Sequence, residues 1–324
     1  MNKTENLDIA DGLTDSAITT GPEAPPELPL HRPATGLTTE PYLWMLAGSF
    51  SFTCMGVWTY RLGLGSGPDA DWRVIALFRS AIAFVAALVI CQVSGHQLLV
   101  FRPAILWLRS FAGCASMVCT FFALTRLPTP EVLTFTNTYP IWISLFSVFV
   151  LREWPGWGVI GASAMGVAGV ALVMQPHGAA DPWAIASALA ASVCTAIAMM
   201  GLNRLGAYPA WAIVTHFSGL ATLTCILLLI FWPGWMSDAD LSMEGSSLLM
   251  LAGVGAGATL GQWCLTQAFT KGVAARVSIV GLSQVCFGLL IETIFFGRVW
   301  NPVTTAGMAM VLLPTAWIMS RRKG

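Results

Sequence analysis

Residues 210–232 read AWAIVTHFSGLATLTCILLLIFW, a stretch without any Asp, Glu, Lys or Arg. As an α-helix it would extend about 35 Å, slightly more than the roughly 30 Å hydrocarbon core of a bilayer. A surface helix of a soluble protein keeps a charged or strongly polar face toward water, and this stretch lacks such a face. It therefore predicts a transmembrane helix.

The rest of the chain follows the same pattern. Hydrophobic residues make up 56% of the 324 residues and charged residues only 10%, whereas soluble domains carry about 25% charged residues. The sequence predicts an all-α membrane protein with about ten transmembrane helices. Their expected ranges are 42–64, 72–93, 103–126, 129–151, 156–174, 182–204, 210–232, 246–269, 273–297 and 302–319.

Residues 1–40 differ in composition, with seven acidic residues, five prolines and no long apolar run. This composition predicts a disordered, dispensable cytoplasmic tail. With the N-terminus inside, nine Lys and Arg residues fall on or near the cytoplasmic side and four on the outer side. The outer loops then hold several acids, Glu131 among them. This bias predicts a multi-pass protein of the plasma (inner) membrane with both termini cytoplasmic.

The chain contains a weak internal repeat. At an offset of 145 residues, Ala123, Thr125 and Val132 correspond to Ala268, Thr270 and Val277. The repeat divides the chain into two five-helix halves, 41–175 and 181–320. Because five is an odd number, the halves must be inverted, as in many alternating-access transporters. Chance similarity between apolar helices is the alternative explanation.

Several short motifs resemble a known family. They are Phe78-Arg79-Ser80 in helix two, Leu127-Pro128 after helix three, Tyr139-Pro140 in helix four, and Leu151-Arg152-Glu153 at its end. With the glycine-rich fifth helix, they resemble the ten-helix EamA-type branch of the drug/metabolite transporter superfamily. The second half departs from the pattern, with Arg298 where the family usually has Glu. The resemblance implies a central cavity between the halves and transport of amino acids, nucleosides, vitamins or other small metabolites.

Three amide side chains, Asn137, Gln262 and Gln284, lie within apolar helices. An amide in hydrocarbon needs hydrogen-bonding partners or water, so these residues are predicted to line a cavity. Thr120 belongs to a polar stripe on helix three, although such hydroxyls commonly bond to carbonyls of their own helix.

Aromatic and basic side chains supply further candidates. Tyr139, Trp142 and Trp263 lie deep enough to stack on a flat substrate, with core packing as the alternative. Arg79 lies about two turns into helix two, where it either faces the cavity or extends to the outer interface. Arg109 is interpreted in the same way at the inner interface.

Glu292 is the acidic residue that the sequence places furthest inside a span, since Leu282 through Ile291 carry no charge. Together with Gly281, Val285 and Gly288 it lies on one helix face. A carboxyl there costs about 2.5–3.5 kcal/mol on insertion scales, which makes it a candidate proton carrier or partner for a substrate amine. The alternative places Glu292 near the membrane surface, paired with Arg298.

The predicted function is secondary transport of small metabolites by alternating access, with proton coupling as one option. The sequence has no GxxxxGK[ST] loop for ATP. An integral membrane enzyme acting on lipid or prenyl substrates is the alternative, and a receptor or scaffold is a third possibility. The expected partners are a small-molecule substrate, the lipid bilayer and a second copy in a homodimer. No cofactor, metal or nucleic acid is expected.

Overall fold

The computed structural model describes residues 39–65, 72–101, 103–150, 152–176, 181–231, 245–297 and 299–320. These ranges form helices and short connections, with no β-strand among them. The predicted tail, residues 1–38, lies outside the described residues.

Twelve helices follow one another along the described chain. They are α1 (Glu40–Gly65), α2 (Trp72–Val93), α3 (Ala104–Leu124), α4 (Thr129–Thr136), α5 (Tyr139–Phe149), α6 (Trp157–Met174), α7 (Pro182–Asn203), α8 (Ala210–Phe231), α9 (Gly245–Lys271), α10 (Ala274–Gly281), α11 (Ser283–Phe296) and α12 (Pro302–Ser320). Taking α4 with α5 and α10 with α11 as single spans, nine stretches of the described chain are long and apolar enough to cross a membrane. With its 26 residues, α1 is also long enough. The prediction of an all-α membrane protein with about ten spans is confirmed.

The sequence predicts one fourth helix with a kink at Pro140, and the structure divides this span at Asn137 and Thr138. The cause is Pro140, which has no N–H for the carbonyl four residues earlier. Side chains add hydrogen bonds in this turn: the Asn137 amide donates to the Leu133 carbonyl at 2.7 Å, and the Thr138 hydroxyl donates to the Phe135 carbonyl at 2.6 Å. The interruption is therefore hydrogen-bonded within the span.

The ninth span is also divided, at Leu282, which the sequence did not predict. The Leu282 N–H bonds to the Ile279 carbonyl at 3.1 Å, three residues back. The carbonyl of Ser278 instead accepts a hydrogen bond from the Tyr139 hydroxyl at 3.1 Å. Leu282 lies 145 residues after Asn137, which is the offset of the sequence repeat. The two interruptions thus occupy matching positions and are bonded to each other.

Helix packing follows a regular scheme. The main pairs are α1 with α9, α3 with α7, α2 with α8, and α6 with α12. The pairing is symmetric when the spans are numbered one to ten along the chain and five is added to each number, counting on from ten to one. Spans one and eight (α1 and α9) then become spans six and three (α7 and α3). The pairs two with seven (α2 and α8) and five with ten (α6 and α12) become themselves. At the α6/α12 crossing, a Cβ on Gly169 would lie 2.7 Å from the Gly307 carbonyl oxygen, and one on Gly307 would lie 2.8 Å from the Gly169 oxygen. Only glycine permits this approach.

Large apolar side chains cover the outside of the helix array. Val85, Ile230 and Leu313 are 57%, 67% and 63% exposed, and many others are similar. A surface of this kind suits lipid tails rather than water. The polar side chains described below lie toward the interior.

Candidate functional site

A small cavity, with space for about one water molecule, lies between α1, α2, α8 and α9. Arg79 and Gln262 supply its strongest polar groups, and Ser80 and Ser218 add two hydroxyls. Its lining consists of Phe52, Arg79, Ser80, Ala83, Phe217, Ser218, Ala221, Ala258 and Gln262. The structure thus brings two of the predicted site residues, Arg79 and Gln262, to the same wall.

The guanidinium of Arg79 lies among weak acceptors. Its Nη1 is 3.9 Å from the Met55 sulfur and its Nη2 is 3.9 Å from the Met117 sulfur. Thioether sulfur accepts hydrogen bonds poorly, and arginine remains charged in proteins. The structure therefore places a positive charge in the cavity wall without an anionic partner among the described residues.

Of the two alternatives for Arg109, extension to the inner interface is wrong. The side chain is only 1% exposed. Its Nη2 donates to the Gln262 Oε1 at 3.4 Å, and its Cζ lies 3.9 Å from the centre of the Phe217 ring. The Nε and Nη1 atoms are buried and have no hydrogen-bond partner among the described residues. The first carbons of the Arg109 side chain are packed between α3 and α7, because the α7 backbone at Gly201 lies directly against them.

The ion pairs found in the described ranges lie at helix ends. Arg126 pairs with Asp181 at 3.3 Å and Lys271 pairs with Glu40 at 2.6 Å, with exposed or half-exposed side chains. Burial is the largest influence on Asp181 and raises its pKa. Hydrogen bonds from backbone N–H groups of the first turn of α7, together with Arg126, outweigh it, and the pKa lies below its usual value. Neither pair involves Arg79 or Arg109.

A second group of polar contacts surrounds the interruption of the ninth span. Ser49 on α1 donates to the Gly281 carbonyl at 3.4 Å, and Thr53 donates to the Gln284 carbonyl at 3.3 Å. Position 281 must be glycine, since a Cβ there would collide with the Tyr139 hydroxyl. The Gln284 side chain itself is exposed. Tyr139, another predicted site residue, therefore joins the two interrupted spans.

The other predicted residues lie elsewhere. Thr120 donates to the Ser116 carbonyl of its own helix at 2.8 Å, and Asn137 bonds within the fourth span. Trp142 lies 6.5 Å from Phe146 between ring centres. Trp263 follows Gln262 on α9 and stacks on Trp211 at 5.3 Å, and its indole N–H is buried without a partner in the described chain.

Two carboxylates lie in unexpected places. Glu131, expected in an outer loop, is in the first turn of α4, where it is 3% exposed and its Oε2 has no hydrogen-bond partner within the described ranges. The reason is that α4 begins at Thr129 and packs against α6 and α7. Glu292 is exposed and lies four residues before the end of α11, away from the cavity lining. Its expected partner Arg298 lies outside the described residues.

The burial of Arg109 was the main feature that sequence reasoning missed. The sequence feature that could have indicated this burial is a lone arginine within the apolar run AILWLRSFAGCA, residues 104–115. Within the described ranges, no three His, Cys, Asp or Glu side chains group as metal ligands would. All eight cysteines are free thiols. Long apolar spans around a polar interior define the class: a polytopic α-helical membrane protein.

Comparison with known proteins shows similarity to a transporter family and to named transporters. Residues 40–175 match the EamA-like transporter family. The chain is 26% identical over 285 residues to the pseudopaline exporter CntI from two strains of Pseudomonas aeruginosa, covering 87% of this chain and 96% of the exporter. It is 22% identical over 221 residues to an uncharacterized transporter of Helicobacter pylori, covering 67% of this chain and 72% of that protein.

A protein of known crystal structure has the same fold, with a TM-score of 0.73 at 15% identity, over 86% of this chain and 96% of that one. The predicted resemblance to the EamA-type branch of the drug/metabolite transporter superfamily is confirmed by the family match over residues 40–175 and by the similarity to the exporter. It is a transmembrane transporter of small metabolites. The named relatives are exporters or transporters, in agreement with the prediction that the chain is not an enzyme.

Proposed function

We propose that this protein exports a small metabolite by alternating access, with the cavity at Arg79 and Gln262 as its substrate site. The observation that carries the proposal is the pair of matched helix interruptions, hydrogen-bonded through Tyr139 and Ser278. Discontinuous helices at corresponding positions of two halves mark the binding region in many secondary transporters.

The interruptions supply the mobility that alternating access requires. A continuous helix resists bending, whereas a break leaves backbone groups that can exchange partners. Around the ninth-span break, side chains of α1 and α5 provide those partners. One half can therefore move against the other by exchanging a few hydrogen bonds.

The two halves are proposed to be inverted repeats, 41–175 and 181–320. The helix pairing supports this relation, because the same pairs result when each span is replaced by its counterpart in the other half. An odd number of spans in each half gives opposite orientations in the membrane. Two similar halves of opposite orientation provide two equivalent conformations, one open to each side.

Direction and placement are further parts of the proposal. Export is favoured because a relative covering 87% of the chain is named an exporter. The distribution of Lys and Arg favours the plasma (inner) membrane with both termini cytoplasmic. A homodimer also remains a prediction, which light scattering on the purified protein would test. Proton coupling through Glu292 stays a prediction as well.

Metabolite profiling in a bacterial host tests the function for a substrate of any identity. Ala258 is 3% exposed and lines the cavity, whereas Leu260, two residues further on the same helix, is 50% exposed. Expression of the wild type should enrich particular metabolites in the medium. Ala258→Trp should abolish that enrichment, and Leu260→Trp should preserve it. Equal profiles for wild-type and empty-vector cells would contradict export, and equal profiles for the two tryptophan variants would contradict the cavity assignment.

A further inference from the structure

We propose that the transported substrate is an anion, whose carboxylate or phosphate group binds between Arg79 and Arg109 with Gln262. This inference rests on the proposed function and specifies its substrate class. The geometry that carries it is the buried guanidinium of Arg109, directly behind the cavity wall and without an anionic partner among the described residues.

Arg109 carries a charge that the described part of the chain does not balance. Its side chain is 1% exposed, and two of its three nitrogen atoms have no acceptor there. Removing an ion from water without a partner is among the most unfavourable burials in a protein. In membrane helices such residues face the interior and mark substrate or ion pathways. An anion entering the cavity would supply negative charge near the Arg109 guanidinium.

Two residues connect Arg109 to the cavity. Gln262 accepts a hydrogen bond from Arg109 at 3.4 Å and also lines the cavity beside Arg79. Phe217 lies 3.9 Å from the Arg109 guanidinium and lines the same cavity. A glutamine that accepts through its oxygen can still donate through its nitrogen. The cavity wall therefore has the Arg79 guanidinium and the Gln262 amide, and the Arg109 guanidinium lies directly behind Gln262 and Phe217. Guanidinium and amide donors of this kind recognise an oxyanion.

Carboxylates of the described chain do not neutralise these charges. Glu40 and Asp181 are paired at exposed helix ends. Glu131 and Glu292 lie near the ends of other helices, and Glu153 is exposed between α5 and α6. The remaining polar neighbours of Arg109 are neutral hydrogen-bonding groups, with the Ser110 hydroxyl 2.9 Å from the His216 Nδ1. The balancing anion must come from outside the described chain. Two sources share this chemistry: the anionic group of a metabolite, or an inorganic anion such as chloride.

Thermal unfolding of the purified protein in detergent separates these sources. The probes are disodium glutarate, its neutral analogue glutaramide with sodium chloride at twice the glutaramide concentration, and sodium chloride alone, all at the same sodium concentration. The proteins are wild type, Arg109→Gln, Arg109→Lys, Arg79→Gln and the control Arg126→Gln, which removes an exposed ion pair. The midpoint temperature is recorded against probe concentration.

Glutarate is expected to raise the midpoint of the wild type above that in glutaramide. Arg109→Gln and Arg79→Gln should each raise the half-saturating glutarate concentration at least about tenfold, since a hydrogen bond to a charged group is lost. Arg109→Lys should lie between them and the wild type, because lysine retains the charge but not the planar fork. Arg126→Gln should match the wild type. Should Arg109→Gln fail to fold, Arg109→Lys and Arg79→Gln carry the test.

Three results would overturn the inference. They are equal midpoints in glutarate and glutaramide, an unchanged half-saturating concentration in both Arg79→Gln and Arg109→Lys, and full stabilisation by chloride with no further effect of glutarate. The last would assign the site to an inorganic anion. Failure of export itself shows separately, because wild-type and empty-vector cells would then have equal metabolite profiles.

Discussion

Removal of one hydroxyl at the junction of the two interrupted spans should change the conformational equilibrium of the transporter. Tyr139→Phe deletes the hydrogen bond to the Ser278 carbonyl and leaves the ring in place. Ser278 is buried, and the Leu282 N–H already bonds to Ile279. A buried carbonyl left without its donor costs about 1–2 kcal/mol. The population of the present conformation relative to the alternative should therefore fall about 5- to 30-fold.

A cysteine at position 283 reports this change directly. Ser283 adjoins the interruption, is 2% exposed, and its hydroxyl has no hydrogen-bond partner in the described ranges, so Ser283→Cys disturbs little. In a protein with all eight native cysteines replaced by alanine, its modification by a small maleimide measures opening at the break. The modification rate follows the population of the open form when opening is fast.

Tyr139→Phe should raise that rate by the same factor of about 5–30. The matched control is Tyr208→Phe, because the Tyr208 hydroxyl forms no hydrogen bond with other described residues; its rate should equal that of the parent. Equal rates for Tyr139→Phe and the parent would refute the role of this hydrogen bond in holding the two interruptions together.

Three further predictions concern stability and coupling. Asn203→Ala removes two hydrogen bonds of 2.7 Å to carbonyls at the end of α9 and should destabilise the protein by about 1–3 kcal/mol for each carbonyl left unsatisfied; an unchanged thermal midpoint would contradict this. Gly307→Ala should reduce the yield of folded protein, whereas Gly161→Ala, with no atom within 4 Å of its added Cβ, should not; size-exclusion profiles compare them, and equal yields would contradict the close crossing. Glu292→Gln should retain the fold and lose the pH-gradient dependence of flux in proteoliposomes if Glu292 carries a proton; unchanged dependence would place Glu292 outside the coupling machinery.

The sequence predicted the ten spans because a helix that crosses a bilayer must be long and uncharged. Each such helix is a continuous run of residues in the sequence, such as 210–232. It also predicted a disturbance at Pro140, since proline cannot complete the helical hydrogen bonds. The interruption at Leu282 has no such residue. It depends on contacts from α1 and α5, which are distant in sequence and become visible only in the folded chain.

The site was predictable to a similar extent. Arg79 and Gln262 were selected because polar groups in apolar helices need partners, and both line the cavity. For Arg109, extension to the interface remained one of two alternatives, because the residue lies near the beginning of its helix, where a long side chain ordinarily reaches water. Its burial results from the close packing of α3 against α7 and from Phe217 on α8. Depth along a helix is visible in a sequence, whereas the neighbours that cover a side chain are not.

Thiol accessibility from the two sides of the membrane tests the central claim, that the cavity opens alternately to each side. Ser218 lines the cavity and is 2% exposed. Ser218→Cys in the protein lacking its native cysteines is treated with a membrane-impermeant thiol reagent in right-side-out and in inverted vesicles. We expect modification from both sides, and slower modification from both sides when Ala258→Trp fills the cavity. Modification from one side only, however long the exposure, would contradict alternating access at this site.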